Sequence, residues 1–563
     1  MSSILLCLAS LMPSVNDPWI PFEEARFIPT GTGSSGFATT AAISGDTVVV
    51  GAYAKGHSGF VNAGAAYVFT RSGSTWAEQP MLTAGDAGNN EYFGYSVAID
   101  GDTIAIGTPN ANHSNASDAG AVYVFQRNST AWVQQVKLIA GDVASNASLG
   151  WSVAIHGDTI VAGAPGLFTP GFGATGAVYV YVRSGNTWTQ QAKLLSIATR
   201  MGWTVSLWGD TVVAGAPEDT ISIFHEGSAR VFVRNGTTWS QQARLKAADD
   251  DADAAFGLSV SVHEDTVAIG APGDNQGTGA VYLFRRFGQD WLKQTKLLPN
   301  DATFSKAFGL ETSLRGCRLF AGAYGWTVNG FNNAGAFYGF VCEGNAWVQR
   351  AKVFAGDPFS GAYFGRVLAQ SGDRVVVTAL DGTNVQGRAY VIRLDPPVTF
   401  CFGDGSLPTA CPCAPPDFVP APSGGPRSGC ANSFSSVGAR LVAWGTVTPD
   451  TLFLEANIGA GYSGFGVMIK SDGQNAAGIA NGDGVRCVDG NLIRFGGHNA
   501  GRGGAPLGTW IYPNSAQTTA VTASTAQLLG QTSYYQLLYR NPAAGFCSPD
   551  TTNWSNVVQV AWP

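Results

Sequence analysis

Charge is scarce in this 563-residue chain, because Asp, Glu, Lys and Arg together make up only 13% of it. The 32 Lys and Arg residues form no cluster and the formal net charge is −7, so the sequence offers no basic surface for nucleic acid. No apolar run approaches the roughly 20 residues that a membrane-spanning helix requires. We therefore predict neither a nucleic-acid partner nor a membrane span.

Histidine and the common catalytic motifs are scarce as well. The chain has six histidines and contains no His-Glu-x-x-His zinc motif, no Gly-x-Ser-x-Gly nucleophile turn and no phosphate-binding glycine loop. These absences favour a binding protein over an enzyme. An enzyme acting on polysaccharide is the alternative, and it would need two carboxylates, or a base beside an arginine or a metal, in one cleft.

Glycine, in contrast, is abundant at 73 residues, and 45% of the chain is hydrophobic, which fits a turn-rich β protein. The chain contains seven repeated units, each with four short runs rich in Val, Ile, Tyr and Phe between Gly-Asp or Asn-Gly turns. The units start at Phe37, Phe93, Leu149, Met201, Phe256, Phe308 and Phe364, 52 to 56 residues apart. Four strands per unit at this spacing predict an all-β, seven-bladed β-propeller.

The two ends of the repeat fit together. The seventh unit ends after its third strand, Gly387 to Leu394, and the missing fourth strand is found before the first unit, at Trp19 to Phe27. We therefore predict one propeller over residues 19–394 that is closed by its N-terminal strand. Residues 1–18 have the apolar core of an export signal without its basic start, so an atypical signal and a disordered or packed end both stay open.

The repeat motif resembles a known family. Phe93-Gly94 with Gly107-Thr108-Pro109, and Phe256-Gly257 with Gly270-Ala271-Pro272, resemble the FG-GAP repeats of integrin-α-like propellers. The family often carries an Asp-x-Asp-x-Asp-Gly calcium loop between its first two strands. That place here holds short turns such as Ile99-Asp-Gly-Asp-Thr103, which have too few oxygen ligands. We predict no cofactor, and calcium would have to bind without the family's loop.

The aspartate of the Gly-Asp-Thr turn is matched in five units by an arginine near the end of the third strand. If the second and third strands form a hairpin, each aspartate faces its arginine, which predicts structural ion pairs. A row of five catalytic acids would be an unusual arrangement, since chemistry normally uses one unsymmetrical site. The pairs are Asp46 with Arg71, Asp102 with Arg127, Asp158 with Arg183, Asp210 with Arg234, and Asp265 with Arg286.

Unit six replaces both members of this pair, with Cys317 and Cys342 at the two positions. A double exchange at facing positions predicts a disulfide. Gly322 and Phe337, five residues further in on each strand, fit the same antiparallel register. A disulfide here indicates an oxidising compartment, so we expect a secreted or cell-surface protein.

Function on a repeated scaffold is expected where the repeat breaks. Near the mouth of the channel, Glu311 and Arg366 depart from small or apolar neighbours, while Tyr95, Trp151 and Trp203 form an aromatic arc on blades two to four. The arrangement predicts a site for a sugar or a peptide side chain. A buried ion pair with packing between blades is the alternative.

The loops between the second and third strands form another candidate surface, because several carry aromatic residues in turn-like sequence. We predict that this rim binds a partner, and loops that fold onto one another are the alternative. The aromatic residues include Phe60, Phe172, Trp326 and Phe331.

Residues 395–400 read as a linker, and residues 401–563 as a disulfide-rich β-sandwich of the jelly-roll type. Three segments, Cys401-Phe-Gly-Asp-Gly405, Gly482-Asp-Gly-Val-Arg-Cys487 and Tyr534 to Trp562, resemble parts of a C-terminal domain that recurs on large secreted bacterial proteins. The exported context favours three disulfides over a metal site, and the sequence does not fix their pairing. The cysteines are Cys401, Cys411, Cys413, Cys430, Cys487 and Cys547.

These features together predict a secreted or cell-surface binding or adhesion protein. Its propeller rim is expected to contact an extracellular protein or glycan. A glycosidase or lyase on the propeller, and a structural component of an extracellular matrix or appendage, are the alternatives.

Overall fold

The structure is a computed structural model, and it describes residues 20–29, 36–73, 75–129, 131–222, 224–247, 252–303, 306–344, 346–380 and 387–395, together with strands between residues 398 and 561. Seven four-stranded antiparallel sheets confirm the all-β, seven-bladed propeller. The strand that opens the chain is β1 (Ile20–Phe27). Blade one contains β2 (Phe37–Ser44), β3 (Thr47–Ala52), β4 (Ala65–Ser72) and β5 (Thr75–Glu78). Blade two contains β6 (Ser96–Asp100), β7 (Thr103–Thr108), β8 (Ala121–Asn128) and β9 (Ala131–Leu138). Blade three contains β10 (Ser152–His156), β11 (Thr159–Ala164), β14 (Ala177–Ser184) and β15 (Thr187–Leu194), and its loop forms a small hairpin of β12 (Phe168–Thr169) and β13 (Gly173–Ala174).

The remaining blades repeat this plan. Blade four contains β16 (Thr204–Trp208), β17 (Thr211–Ala216), β18 (Ser228–Asn235) and β19 (Thr238–Leu245). Blade five contains β20 (Ser259–His263), β21 (Thr266–Ala271), β22 (Ala280–Phe287) and β23 (Asp290–Leu297). Blade six contains β24 (Thr312–Arg315), β25 (Arg318–Ala323), β26 (Ala336–Glu343) and β27 (Ala346–Val353). Blade seven contains β28 (Leu368–Ser371), β29 (Arg374–Ala379) and β30 (Arg388–Asp395) together with β1. The described residues include one helical turn, α1 (Asp274–Gly277), and no helix among them is long and apolar enough to cross a membrane.

Two features close the ring. The strand order of blade seven is β1-β30-β29-β28, so the N-terminal strand is the fourth strand of the last blade. The first strands of neighbouring blades contact each other in turn from β2 to β28, and β28 contacts β2 again. The first strands therefore surround a central channel, and the outer edge of blade seven comes from the start of the chain.

The hydrophobic core lies between adjacent blades. The second strands are buried along their whole length in blades one to four, because a Val- and Ile-rich strand in the middle of a blade is covered on both faces. One core cluster joins Ala105 and Val122 of blade two to Ile160 and Tyr179 of blade three. Packing between sheets, rather than within one sheet, therefore holds neighbouring blades together.

The glycines of the repeat motif lie where two blades meet. A Cβ atom on Gly107 would stand 2.0 Å from the carbonyl oxygen of Gly150 in the next blade, and one on Gly94 would stand 2.2 Å from the carbonyl oxygen of Ala65. Gly94 also has a φ of 84°, in the left-handed region that favours glycine. The close approach of the blades explains why both ends of the motif contain glycine.

The C-terminal part of the chain is described only as backbone strands. Within the predicted linker, Val398–Phe400 forms β31, which pairs with the last strand. The other strands are β32 (Arg440–Trp444), β33 (Phe453–Asn457), β34 (Phe465–Asn481), β35 (Gly484–Asn499), β36 (Thr509–Tyr512), β37 (Thr532–Arg540) and β38 (Thr552–Ala561), in sheets ordered β31-β38-β37-β34-β35 and β32-β33-β36. The predicted sandwich packing and the side chains of the six cysteines lie outside the described residues.

Candidate functional site

Each blade presents different connections at the two ends of the channel. Ser96 at the start of β6 pairs with Gly107 near the end of β7, so the loop after the second strand lies at the same end as the start of the first. We call this end the loop face; it carries the loops between second and third strands and the connections between blades. The opposite end, which carries the two tight hairpin turns of each blade, is the hairpin face.

On the hairpin face, the five repeated Asp and Arg residues form ion pairs. The shortest N–O distances are 2.6 Å for Arg71–Asp46, 3.1 Å for Arg127–Asp102, and 2.6 Å for Arg183–Asp158, Arg234–Asp210 and Arg286–Asp265. Four of these arginines also donate to a threonine hydroxyl of the preceding blade, namely Arg127 to Thr47, Arg183 to Thr103, Arg234 to Thr159 and Arg286 to Thr211. The repeated charges therefore join blades to each other, which is a structural role.

In blade six, a disulfide joins Cys317 and Cys342, whose Cα atoms are 4.9 Å apart. The register places Gly322 opposite Phe337, as the repeat requires. In the chain-entropy account, a loop of this length reduces the entropy of the unfolded chain enough to contribute about 3.5 kcal/mol to stability. The covalent bond thus takes the place of the ion pair that other blades use.

Sequence reasoning missed a second repeated network, which ties blades two, three and six to the connections before them. The tyrosine of Gly-Ala-Val-Tyr and the lysine of the fourth strand both donate to an aspartate in the preceding connection. The sets are Tyr123 and Lys137 with Asp86, Tyr179 and Lys193 with Asp142, and Tyr338 and Lys352 with Asp301. The signal was present, since a Gly-Asp or Asn-Asp pair follows the fourth strand of each preceding blade.

Blade four departs from this network. Arg230 occupies the position of the tyrosine, is 1% exposed, and donates to Asp219 at 2.9 Å. Asp219 also accepts from the Ser228 hydroxyl at 2.7 Å and the Thr199 amide at 3.2 Å. Burial lowers the pKa of Arg230, and the charge of Asp219 opposes that effect. A buried ion pair therefore supports the loop face of blades three and four.

The predicted aromatic arc is continuous in the structure. The ring centroids of Tyr95 and Trp151 are 4.7 Å apart, and those of Trp151 and Trp203 are 5.0 Å apart, with tilted planes. Tyr53 packs edge-on against Tyr95 at 5.8 Å. All four side chains are half-buried, so the arc keeps an accessible surface at the channel mouth on the loop face.

Glu311 and Arg366 lie on adjacent blades, but no ion pair joins them in the described part of the chain. Glu311 is three residues after the start of its unit and Arg366 is two, and successive residues point in opposite directions on an extended strand. Glu311 is half-buried and Arg366 is exposed. The alternative of a buried Glu311–Arg366 pair is therefore not what the structure shows.

Burial raises the pKa of Glu311 to about 8, and a hydrogen bond from the Thr312 amide lowers it only in part. The folded protein therefore keeps this proton up to about pH 8, whereas the unfolded chain releases it near the ordinary value of 4.5. Stability is consequently lost as the pH rises between these two values. For a partly exposed carboxyl we expect a loss on the order of 3 kcal/mol.

Glu311→Gln should remove this pH dependence. Denaturant unfolding of the wild-type protein and of the variant at pH 5, 6, 7 and 8 measures the effect. The free energy of unfolding of the variant, relative to that of the wild-type protein, should increase with each rise in pH. Parallel pH profiles for the two proteins would show that Glu311 is ionised in the folded state.

The predicted rim aromatics differ in their exposure. Phe60, Phe172 and Phe331 are 38%, 63% and 41% exposed. Trp326 is half-buried, packs against the core of blades five and six, and has the Lys352 ammonium 3.3 Å from its ring centroid. Trp326 therefore has a structural role. For this residue the structure agrees with the alternative that the loops fold onto one another.

Other exposed apolar residues, which the sequence analysis did not name as candidates, extend the rim on blades three and four. The strongest are Phe168, Ile197 and Phe224, which are 66%, 74% and 61% exposed. Each lies in a short loop segment that has no regular alternation of apolar and polar residues, so hydrophobic periodicity could not identify it. Together with Phe172 they are named the blade 3–4 patch.

The segments that carry the blade 3–4 patch are joined to each other. The Arg200 amide, in the connection that carries Ile197, donates to the carbonyl of Ala174 in the loop of blade three at 2.9 Å. The Arg200 guanidinium is 3.1 Å from Glu218 in the loop of blade four and 5.8 Å from the ring centroid of Trp203. The patch and the aromatic arc are therefore neighbouring parts of one surface.

Metal ligands are not grouped in the described residues, where no three His, Cys, Asp or Glu side chains are placed to hold an ion. The acidic run from Asp249 to Asp253 lies largely outside those residues. The expectation that no cofactor is bound stays a prediction.

The sequence has known relatives. A family model for the FG-GAP repeat matches residues 22–69, 76–125, 132–181, 239–284 and 347–392. Integrin alpha-7 of Homo sapiens, Rattus norvegicus and Mus musculus is 26% identical over 171 residues, which is 28% of this chain and 14% of each relative. The chain thus matches only a small part of these curated relatives.

Proposed function

We propose, on the premise that the ring is an integrin-alpha-like propeller built from FG-GAP repeats, that the chain is a secreted or cell-surface binding protein. Its loop face contacts an extracellular protein or glycan. The disulfide of blade six supports export, because such bonds persist in oxidising compartments. Adhesion is the form of binding that we propose.

The distribution of exposed apolar side chains is the observation that supports the loop face. Fourteen large apolar residues are exposed in the described ranges, and eleven of them lie on the loop face. The other three, Val133, Phe287 and Leu292, lie on outer strands or at a hairpin turn. An apolar surface concentrated on one face of a protein is typical of a partner-binding site.

The double substitution Phe168→Ser and Phe172→Ser should weaken binding to extracellular partners at least tenfold, because aromatic residues at the centre of an interface carry much of its energy. A glycan and extracellular-protein array probed with the full chain identifies the partners. Titration of each partner with wild-type and variant protein then measures the change. Product formation from a bound polysaccharide would instead show catalysis.

The matched control is Val133→Ser with Leu292→Ser, which removes two side chains of similar exposure, 52% and 55%, from the outer strands. This control should bind as the wild-type protein does. Equal losses in the two double variants, or no loss in the loop-face variant, would contradict the proposed binding face.

A further inference from the structure

The channel mouth on the loop face combines an aromatic surface with unequal charges at its two ends. The rings of Tyr95, Trp151 and Trp203 follow one another over three blades, and the two centroid separations of 4.7 and 5.0 Å give the arc a length of about 10 Å. Tyr53 supports the arc from the side of blade one. Because neighbouring rings fix each other, the arc is a preformed surface.

The cation at the blade four end of the arc is neutralised. Arg200 lies over the Trp203 ring at 5.8 Å and forms an ion pair with Glu218 at 3.1 Å. Its charge is therefore already compensated within the protein. A ligand carboxylate gains little at this end.

The cation at the other end of the arc has no such partner. Arg366 is exposed and has no ion pair with any residue that the structure describes. It is close enough to Tyr95 for its charge to oppose the burial that raises the pKa of that phenol to about 12. Blade one lies between the blades that carry these two residues, and Thr39 stands at the matching position of its first strand.

The aromatic arc and the uncompensated charge of Arg366 together select a particular ligand chemistry. One face of a pyranose ring presents C–H groups, which are apolar and carry a small positive charge. These groups pack favourably on the negative face of an indole or phenol ring. A guanidinium holds a carboxylate through two parallel hydrogen bonds. An acidic peptide would satisfy Arg366 but would leave the aromatic arc uncovered. A uronic acid carries the carboxylate and the flat ring together.

We infer that the channel mouth binds an acidic polysaccharide, with a uronic-acid carboxylate on Arg366 and sugar rings along Tyr95, Trp151 and Trp203. The arc length corresponds to about two sugar residues. This inference rests on the proposed function, because it names the ligand class of the same loop face. Since Arg366 is exposed, binding should weaken with added salt.

The test uses the full chain and a tetragalacturonate probe in calorimetric titrations. Arg366→Gln should weaken binding at least tenfold, and Trp151→Ala should do the same through loss of stacking. Arg315→Gln is the matched control, because Arg315 is an exposed arginine at the hairpin-face end of the channel, at the end of a first strand. It should leave the affinity unchanged.

Two further probes separate the possible occupants. A neutral tetragalactose should bind more weakly than the uronate and should be insensitive to Arg366→Gln, whereas a tetraglutamate peptide should show no binding. Three outcomes would overturn the inference. These are equal affinity of the Arg366 and Arg315 variants for the uronate, a preference of the wild-type chain for the peptide, and no binding of the uronate by the wild-type chain. If the inference fails while Phe168→Ser with Phe172→Ser still weakens binding of an array partner at least tenfold, the proposed function stands without it.

Discussion

Replacement of Phe27 by alanine should lower the free energy of unfolding of the propeller by about 3–5 kcal/mol, as large-to-small changes of buried aromatic residues do. Phe27 is 6% exposed and belongs to β1. This strand of blade seven comes from the start of the chain, whereas the other three strands are consecutive in sequence. Its ring stacks on Phe69 of blade one at 4.0 Å and meets Trp76 edge-on at 5.6 Å. Denaturant unfolding followed by tryptophan fluorescence measures the loss.

The neighbouring Ile28 provides the control, because it is 48% exposed. Ile28→Ala should change stability by less than about 0.5 kcal/mol. Deletion of residues 1–30 should have a larger effect than Phe27→Ala, since it also removes Glu24, which is 2.7 Å from Arg374 of blade seven. An unchanged unfolding midpoint after this deletion would show that the N-terminal strand does not hold the ring closed.

Asp219→Ala should cost about 3–5 kcal/mol, because it leaves the Arg230 guanidinium buried without its counter-charge. The side chains of this pair are 1% and 9% exposed. The variant also removes the acceptor for the Ser228 hydroxyl and the Thr199 amide. Thermal and denaturant unfolding of the full chain are the measurements.

Asp46→Ala is the matched control for this prediction. It breaks an ion pair of similar geometry, but the Asp46 carboxylate is 57% exposed, so the expected cost is only about 0–1 kcal/mol. Addition of Arg230→Leu to Asp219→Ala should restore part of the lost stability by removing the unpaired charge. Equal costs at Asp219 and Asp46 would mean that burial does not strengthen the blade-four pair.

The repeat made much of the propeller predictable. The turn residue, an aspartate in six units and Cys317 in the sixth, stands nine residues after the start of every unit. This constant offset places the turn at the same point of each first hairpin, so the strand register followed from the sequence. The facing positions of Cys317 and Cys342 followed from the same register. Residues on one hairpin could be paired because a β ladder fixes which residues face each other.

Contacts that depend on loop conformation were not predictable in this way. The aspartate that Tyr123 and Lys137 share is in the connection between blades, 37 and 51 residues away in sequence. Trp326 and Phe172 both look like loop aromatics, yet the first is half-buried against Lys352 and the second is 63% exposed. No local pattern separates these outcomes, because they depend on which space the neighbouring blade leaves open.

The central claim, that the loop face binds the partner, is tested most directly by hydrogen exchange of the full chain with and without its best array ligand. The account predicts slower exchange in residues 165–176, 195–200 and 218–227, which carry the blade 3–4 patch. It predicts no change at the hairpin turns, such as residues 184–187. Protection confined to the hairpin turns or the outer strands would contradict it.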